Sequence, residues 1–418
     1  MRLLFLAGVI AVSLAIALLP VPPRAAAPVP AVQTVTQKVT QIASDTVTPP
    51  VVTPAARRYS RIRWGMYFVS TAFGLAALGG VLASGVSAKL RTWVRPWKFS
   101  LLRMAGYYAA LTGVLLLVKA PLTWYSGYYL SHAYSLSSQS LGAWLGDFFK
   151  GVGVDLLTTI PILWGLYWLI NRFPRRWALW AWAGLVPMIA FGIFAAPLVV
   201  DPLFNKFTPL PPGRLHDRIE TLAAKAGIPD APILVADKSK QTHETNAYVT
   251  GIGSSARIVI WDTTLQRMPE DQIVAIVGHE IGHYVLKHIY WGFALSVGGL
   301  LVLLPLAKLC YEALLRRYGA AWGINGPGDY AAVPALLLTV SLFSFLLAPV
   351  TNGVSREIEH QADAYGLSVT SNRPAMARAF VSLSEQNLSD PNPPAFIKFW
   401  LFTHPPLSER IDFALGKK

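Results

Sequence analysis

"VGHEIGHYVLKH", residues 277–288, sets three of the chain's eight histidines and a glutamate inside twelve residues. On an α-helix, positions i and i+4 lie about 40° apart around the axis, so His279 and His283 can aim their imidazoles at one ion. Glu280 stands about 100° round from His279 and can reach past that ion toward a water. This H-E-x-x-H spacing assembles what hydrolysis at a metal needs. Neutral imidazoles hold Zn²⁺ without cancelling its charge, which keeps a bound water acidic near neutral pH. The neighbouring carboxylate takes that water's proton as it attacks a carbonyl and later passes it to the leaving amine. His288 lies about 180° from His279 on a continuous helix and is read as a surface or lipid-interface residue outside the ligand set.

A catalytic zinc ion wants a third protein ligand and one position left open. The best source is "SREIEHQADAYGL", residues 355–367, a polar and helix-compatible stretch. Glu359 and Asp363 are i,i+4 and share a face, whereas Glu357 points elsewhere. Glu359 is therefore assigned as the ligand, and Asp363 as the carboxylate that orients a ligand imidazole. His360, about 100° from Glu359, is poorly placed to be a fourth ligand.

Composition says where this site is held. The 418 residues are 53% hydrophobic and only 14% charged, against about 25% charged in an ordinary soluble domain. Apolar runs at 3–20, 64–86, 101–120, 152–172, 177–200, 289–308 and 331–350 approach or exceed the roughly 20 residues that cross a bilayer as a helix. Segment 3–20 could equally be a signal-like segment, with Arg2 before it and Ala25-Ala26-Ala27 beyond. Pro20, Pro22 and Pro23 crowd the cleavage region and favour a retained span. Two spans separate His283 from Glu359, an even number, so both ligands emerge on one side of the membrane. The single cysteine, Cys310, excludes an intramolecular disulfide. The net charge of +14 sits beside spans, at Lys89, Arg91, Arg95 and Lys98 and at Arg172, Arg175 and Arg176. Such placement serves anionic membrane lipids and topology and argues against a nucleic-acid partner.

The chain thus divides into a first span or signal-like segment at 1–20, a Pro/Ala-rich linker at 21–61 and membrane helices over 62–200. A polar peptidase portion follows at 201–288, then a membrane hairpin at 289–350 and a completing portion at 351–418. Within 201–288, "PPGRLHDRIETLAAKAG" reads as a helix ending at Gly227 and "APILVADKS" as a strand. "NAYVTGIGSSARIVIWD" reads as two strands joined by a Gly/Ser turn. Pro269, Glu270 and Asp271 mark the start of the helix that carries His279.

Together "DPLFNKFTPLPPGRL", "TNAYVTG", "RIVIWDTTL", "VGHEIGHYVLKH", "SREIEHQADAYGL" and "THPPLSERI" cover 201–418 nearly end to end. In combination and order they resemble the M48 zinc metallopeptidases, above all the type I CAAX prenyl protease (Ste24-like) branch. The resemblance implies a mainly α, multi-pass fold of about seven spans, with a zincin-like (gluzincin) domain containing a small β-sheet. It implies one Zn²⁺ per chain on His279, His283 and Glu359, with Glu280 as base. It places Asn246 and Ala247 on an edge strand that pairs with an extended substrate, a mode that tolerates many side chains. It assigns His404 and Arg410 as donors to the oxyanion or to a substrate carboxylate, and it implies a membrane chamber with the zinc on its wall. The N-terminal half departs from the pattern: "YSGYYLSHAYSLSSQSLGAWLGD" stands where the family carries an acidic, Phe-Gly-Phe-Asn-like segment.

The expected activity is metal-dependent cleavage of a peptide or protein substrate, lipidated ones among them. CaaX-type processing and HtpX-like turnover of membrane proteins are both compatible with these residues. A non-catalytic membrane protein with a structural zinc is the rival from another class, and it lacks a fourth ligand. Basic loops at 87–100 and 173–176 put the catalytic segments outside a bacterial inner membrane by the positive-inside rule, whereas Arg57, Arg58, Arg61 and Arg63 argue the other way. The side therefore stays open at the level of sequence.

Overall fold

A computed structural model describes residues 47–194 and 196–417. Among these, six helices are long and apolar enough to cross a membrane. The run at 3–20, expected as a first span, lies outside the described residues. The first described span, α1 (Pro54–Ala83), begins inside the stretch read as a linker. Its start is well made: Pro54 takes the first position, where no N–H is needed, and the Thr53 hydroxyl accepts from the Ala56 N–H at 3.1 Å. Residues 54–61 are thus corrected from linker to helix.

A short α2 (Val86–Val94) turns the chain at the far end. α3 (Ser100–Trp124), prolonged to Ala133, α4 (Leu141–Arg172) and α5 (Trp177–Phe194) complete the first group of spans. The polar portion follows, with β1 (Phe207–Pro209), α6 (Arg214–Lys225), β2 (Ile233–Ala236), β3 (Ala247–Thr250) and β4 (Arg257–Trp261). The four strands lie in the order β1-β2-β4-β3. β2 and β4 are parallel, and β1 and β3 flank them antiparallel. The two strands joined by a Gly/Ser turn are therefore present, and the three-residue β1 is an addition that no alternation announces.

α7 (Glu270–Val285) carries the H-E-x-x-H residues, packs against β3, and buries Ile273, Val277 and Ile281 in one core with Ile258 and Ile260 of β4. It stops at Leu286, and Lys287 adopts a left-handed φ of 58° before α8 (His288–Tyr318) sets off into the membrane. The return span α9 (Val333–Thr370) is one 38-residue helix, about 57 Å long at 1.5 Å per residue. Span and polar segment, read apart in the sequence, are one rod that carries Glu359 and Asp363 out of the membrane. α10 (Arg373–Gln386) and α11 (Leu407–Leu415) close the polar portion.

α7 and α9 cross at very short range, and small residues permit it. A Cβ on Gly282 would meet the Ala362 carbonyl oxygen at 3.1 Å, and one on Gly366 would meet the His279 nitrogen at 2.9 Å. Only glycine lets the two backbones approach so closely, and that approach brings Glu359 to the two imidazoles.

Candidate metal centre

The site gathers on the facing sides of α7 and α9. His279 Nε2 lies 3.2 Å from His283 Nε2 and 3.2 Å from Glu359 Oε2, and His283 Nε2 lies 3.5 Å from Glu359 Oε1. An ion held tetrahedrally at about 2.0–2.1 Å separates its donors by about 3.3 Å, so the two ring nitrogens and the Glu359 carboxylate, which turns one oxygen toward each, are spaced to share one. Glu359 Oε2 supplies a second test. It is buried with no aligned hydrogen-bond donor, although imidazole nitrogens of His279 and His404 approach within 3.2 and 3.3 Å. A buried carboxylate oxygen left so is costly unless a cation completes it. The donor set of two imidazoles and one carboxylate fits zinc.

Behind His279 stands a second layer. Asp363, fully buried, lies 2.8 Å from His279 Nδ1 through Oδ1. Arg410 grips the same carboxylate in a fork, Nη2 to Oδ1 at 2.7 Å and Nε to Oδ2 at 2.9 Å, and stacks over the Phe380 ring at 4.2 Å. Arg410, expected as a donor to the oxyanion or to a substrate carboxylate, spends this fork on Asp363 while also lining the cavity onto which Glu280 opens. Two of its nitrogens are committed to Asp363, and the guanidinium is buried behind the imidazole. H-P-x-x-x-x-R showed that a cation belonged near the site, but its target depended on how α11 docks.

Burial and charge set the titration of the α7 groups. Burial favours neutral His279, but the adjoining Asp363 and Glu359 carboxylates outweigh it and raise its pKa to about 9. His283 moves the other way, to about 4, because burial and the charge on His279 both disfavour its cation. Glu280 is pushed up to about 7, chiefly by burial, with Glu359 and Asp363 adding to it against His279 and Arg410.

Glu280, His404 and Asn246 open onto one cavity of about 760 Å³, whose lining also includes Arg63, Trp64 and Trp400. His404 stands on the rim of the donor cluster, its Nδ1 2.8 Å from the Thr403 hydroxyl. β3 is an edge strand of the sheet. Asn246 turns its side-chain oxygen back to the Ala247 N–H at 2.8 Å, and its backbone is pinned from both sides by the Thr264 hydroxyl. Asp201, from "DPLFNKFT", accepts from the Tyr248 hydroxyl at 3.2 Å and so tethers β3 from outside. His360 packs against Phe413 and stays out of the site.

Two placements escaped the sequence reading. His288 is buried, 7% exposed, with Nδ1 3.0 Å from His283 Nδ1. The break at Lys287 voids the 180° rotation that had sent it to the surface. The first span's Arg63 and Trp64 belong to the cavity wall, which no local pattern could reveal. The α7–α9 crossing did leave a signal, the small residues Gly278, Gly282, Ala362 and Gly366 at four-residue spacing.

Comparison with known proteins decides the class. Residues 209–417 match the sequence family described as peptidase family M48, and residues 32–206 match "CAAX prenyl protease N-terminal, five membrane helices". The chain belongs to peptidase family M48. Within that family it is 37% identical to the uncharacterized metalloprotease YhfN of Bacillus subtilis, over 86% of this chain and 84% of that one. It is 30% identical to CAAX prenyl protease 1 of Saccharomyces cerevisiae, over 75% and 72% of the two chains. The crystal structure of S. mikatae Ste24p superposes with a TM-score of 0.73 at 25% identity, covering 89% of this chain and 92% of that chain. This M48 protein is an integral-membrane metallopeptidase that acts on a peptide or protein substrate, with the mainly α, Ste24-like fold expected of it.

Proposed function

We propose that this chain is a zinc endopeptidase that holds one Zn²⁺ on His279, His283 and Glu359, and that it trims proteins near a lipidated C-terminus. The observation that carries the metal assignment is the convergence of two ring nitrogens, 3.2 Å apart, on the Glu359 carboxylate at 3.2 Å to Oε2 and 3.5 Å to Oε1, with Oε2 left without an aligned donor. When bound, zinc would supply Lewis acidity to the scissile carbonyl and to the attacking water.

The chain's own groups do the rest. A substrate in extended form adds to the open edge of β3, beside Asn246 and Ala247, so that backbone hydrogen bonds bring its amide to the cavity whatever its side chains. Glu280, in the same cavity, accepts the attacking water's proton and returns it to the leaving amine. Its carboxyl, raised to about 7 before metal is loaded, would be drawn back down by a dication beside it. His404 faces the cavity and steadies the developing oxyanion. Asp363 fixes the His279 ring, and Arg410 fixes Asp363.

The lipidated-substrate part rests on the relatives named CAAX prenyl protease and on the aromatic wall of the cavity, where Trp64 and Trp400 offer apolar surface. We place the chain in a bacterial inner membrane, with the metal site on the outer face by the heavier basic flank, against the weight of Arg57, Arg58, Arg61 and Arg63 at the metal end. Arg91, Arg95, Arg175, Arg176, Arg316 and Arg317 all flank the opposite ends of the spans. One experiment separates the substrate readings: the purified, zinc-loaded protein is assayed on a prenylated CaaX peptide, the same peptide without its lipid, and casein. Cleavage of the prenylated peptide well above the other two is expected. Equal turnover of casein replaces C-terminal trimming with general proteolysis.

A further inference from the structure

The two ligand imidazoles are oriented by different devices. His279 leans on the buried Asp363–Arg410 pair, whereas among the described residues no carboxylate touches the back of His283. There the partner is His288, rings tilted at 71° and Nδ1 facing Nδ1 at 3.0 Å. His288 Nε2 in turn lies 3.4 Å from Gln361 Oε1, and Gln361 Nε2 lies 3.3 Å from Glu357 Oε1.

The chemistry assigns every proton in this chain. If His283 presents Nε2 to the metal, its Nδ1 must carry the hydrogen and donate it. His288 Nδ1 is then the acceptor, so His288 carries its hydrogen on Nε2 and donates to the Gln361 carbonyl. The Gln361 amide nitrogen donates to the Glu357 carboxylate, which only accepts. All three bonds run in one direction and end on an anion. Reversing any one of them sets donor against donor or lone pair against lone pair.

We infer that His288 is the positioning residue of His283, with Gln361 and Glu357 completing a relay that fixes the ring's tautomer and raises its basicity toward the metal. The backbone adds an independent sign. Lys287 holds φ 58°, a left-handed conformation that residues with a Cβ rarely adopt. Its effect is to end α7 and fold His288 back beneath His283 instead of letting it continue round the helix. Glu357, which the sequence placed on the wrong face to be a ligand, acquires a role at the relay's outer end.

This inference rests on His283 being a metal ligand, and the test keeps the two apart. Full-length protein in detergent is stripped, and zinc affinity and dissociation are measured by competition with a chromophoric chelator for wild type, His288→Leu and His288→Asn. Wild type is expected to take up one zinc. His288→Leu is expected to bind about 10–100-fold more weakly, and His288→Asn, whose amide oxygen can stand where Nδ1 was, to recover most of that loss. Gln361→Leu, altered at an exposed position, should lose affinity in the same direction by a smaller factor, and it carries the test should the His288 variants not fold. Wild-type affinity in His288→Leu, or an asparagine variant as weak as the leucine one, overturns the relay. Failure of wild type to bind zinc overturns the metal assignment beneath it.

Discussion

Two polar clusters sit at opposite ends of the long helices, and they are built on opposite terms. At the end away from the metal, Ser87 on α2 shares a 2.6 Å hydrogen bond with Tyr107 on α3 and gives another to the Ala331 carbonyl. Tyr311 on α8 meets Tyr167 on α4 and donates to the Pro327 carbonyl at 2.7 Å. Asp329 receives Arg91, the Asn325 backbone and side chain, and the Ala331 N–H. None of these side chains has an orphaned buried atom. At the metal end, three donors converge and Glu359 Oε2 has no aligned donor. A saturated network fastens helices together, while one left short of a cation is prepared for it.

The sharpest way to break that contrast is Glu280→Gln. It should cut proteolysis by about 10²–10⁴-fold while zinc content, by elemental analysis, and thermal stability stay at wild-type values. Undiminished cleavage would remove Glu280 from the chemistry. Next comes Asp363→Asn, expected to weaken zinc binding by about 10–100-fold in chelator competition. It also leaves the Arg410 charge buried without its partner, so melting in detergent should fall as well.

The far cluster should respond differently. Asp329→Ala should destabilise by about 2–3 kcal/mol through lost charge-assisted bonds, lowering the melting temperature, yet activity per bound zinc should be unchanged. A matching loss of activity would mean that the two ends are coupled. The smallest effect is a proton count. At pH 8 the metal-free site holds a proton on His279, whose pKa is about 9, and none on His283, at about 4, with Glu280 mostly ionised at about 7. Zinc uptake should therefore release about one proton, seen by calorimetry in buffers of different ionisation enthalpy. Because metal and proton compete, apparent affinity should fall as pH drops below 9, about tenfold per unit.

How far the sequence carried can be judged residue by residue. His279, Glu280 and His283 were legible because helical spacing is local geometry, and so were β3 and β4 and the helix ending near Gly227. Glu359 was reachable since an even number of spans returns the chain to one face and the i,i+4 spacing named a pair of acids. The Asp363 partner of Arg410 was not foreseen, because it lies 47 residues away and is reached only when α11 docks on α9. His288 was misread for a backbone reason, the left-handed Lys287, which no side-chain pattern signals.

The sequence by itself determined a membrane protein in which His279, His283 and Glu359 can meet with Glu280 beside them, since periodicity and hydropathy are written in single segments. Tertiary structure decided what stands behind each ligand and which wall faces it. Those depend on the close crossing of α7 and α9 at Gly282 and Gly366, on α1 lining the cavity and on one turn at Lys287. Such contacts arise between segments far apart in the chain, and their energies come from packing that no single stretch contains.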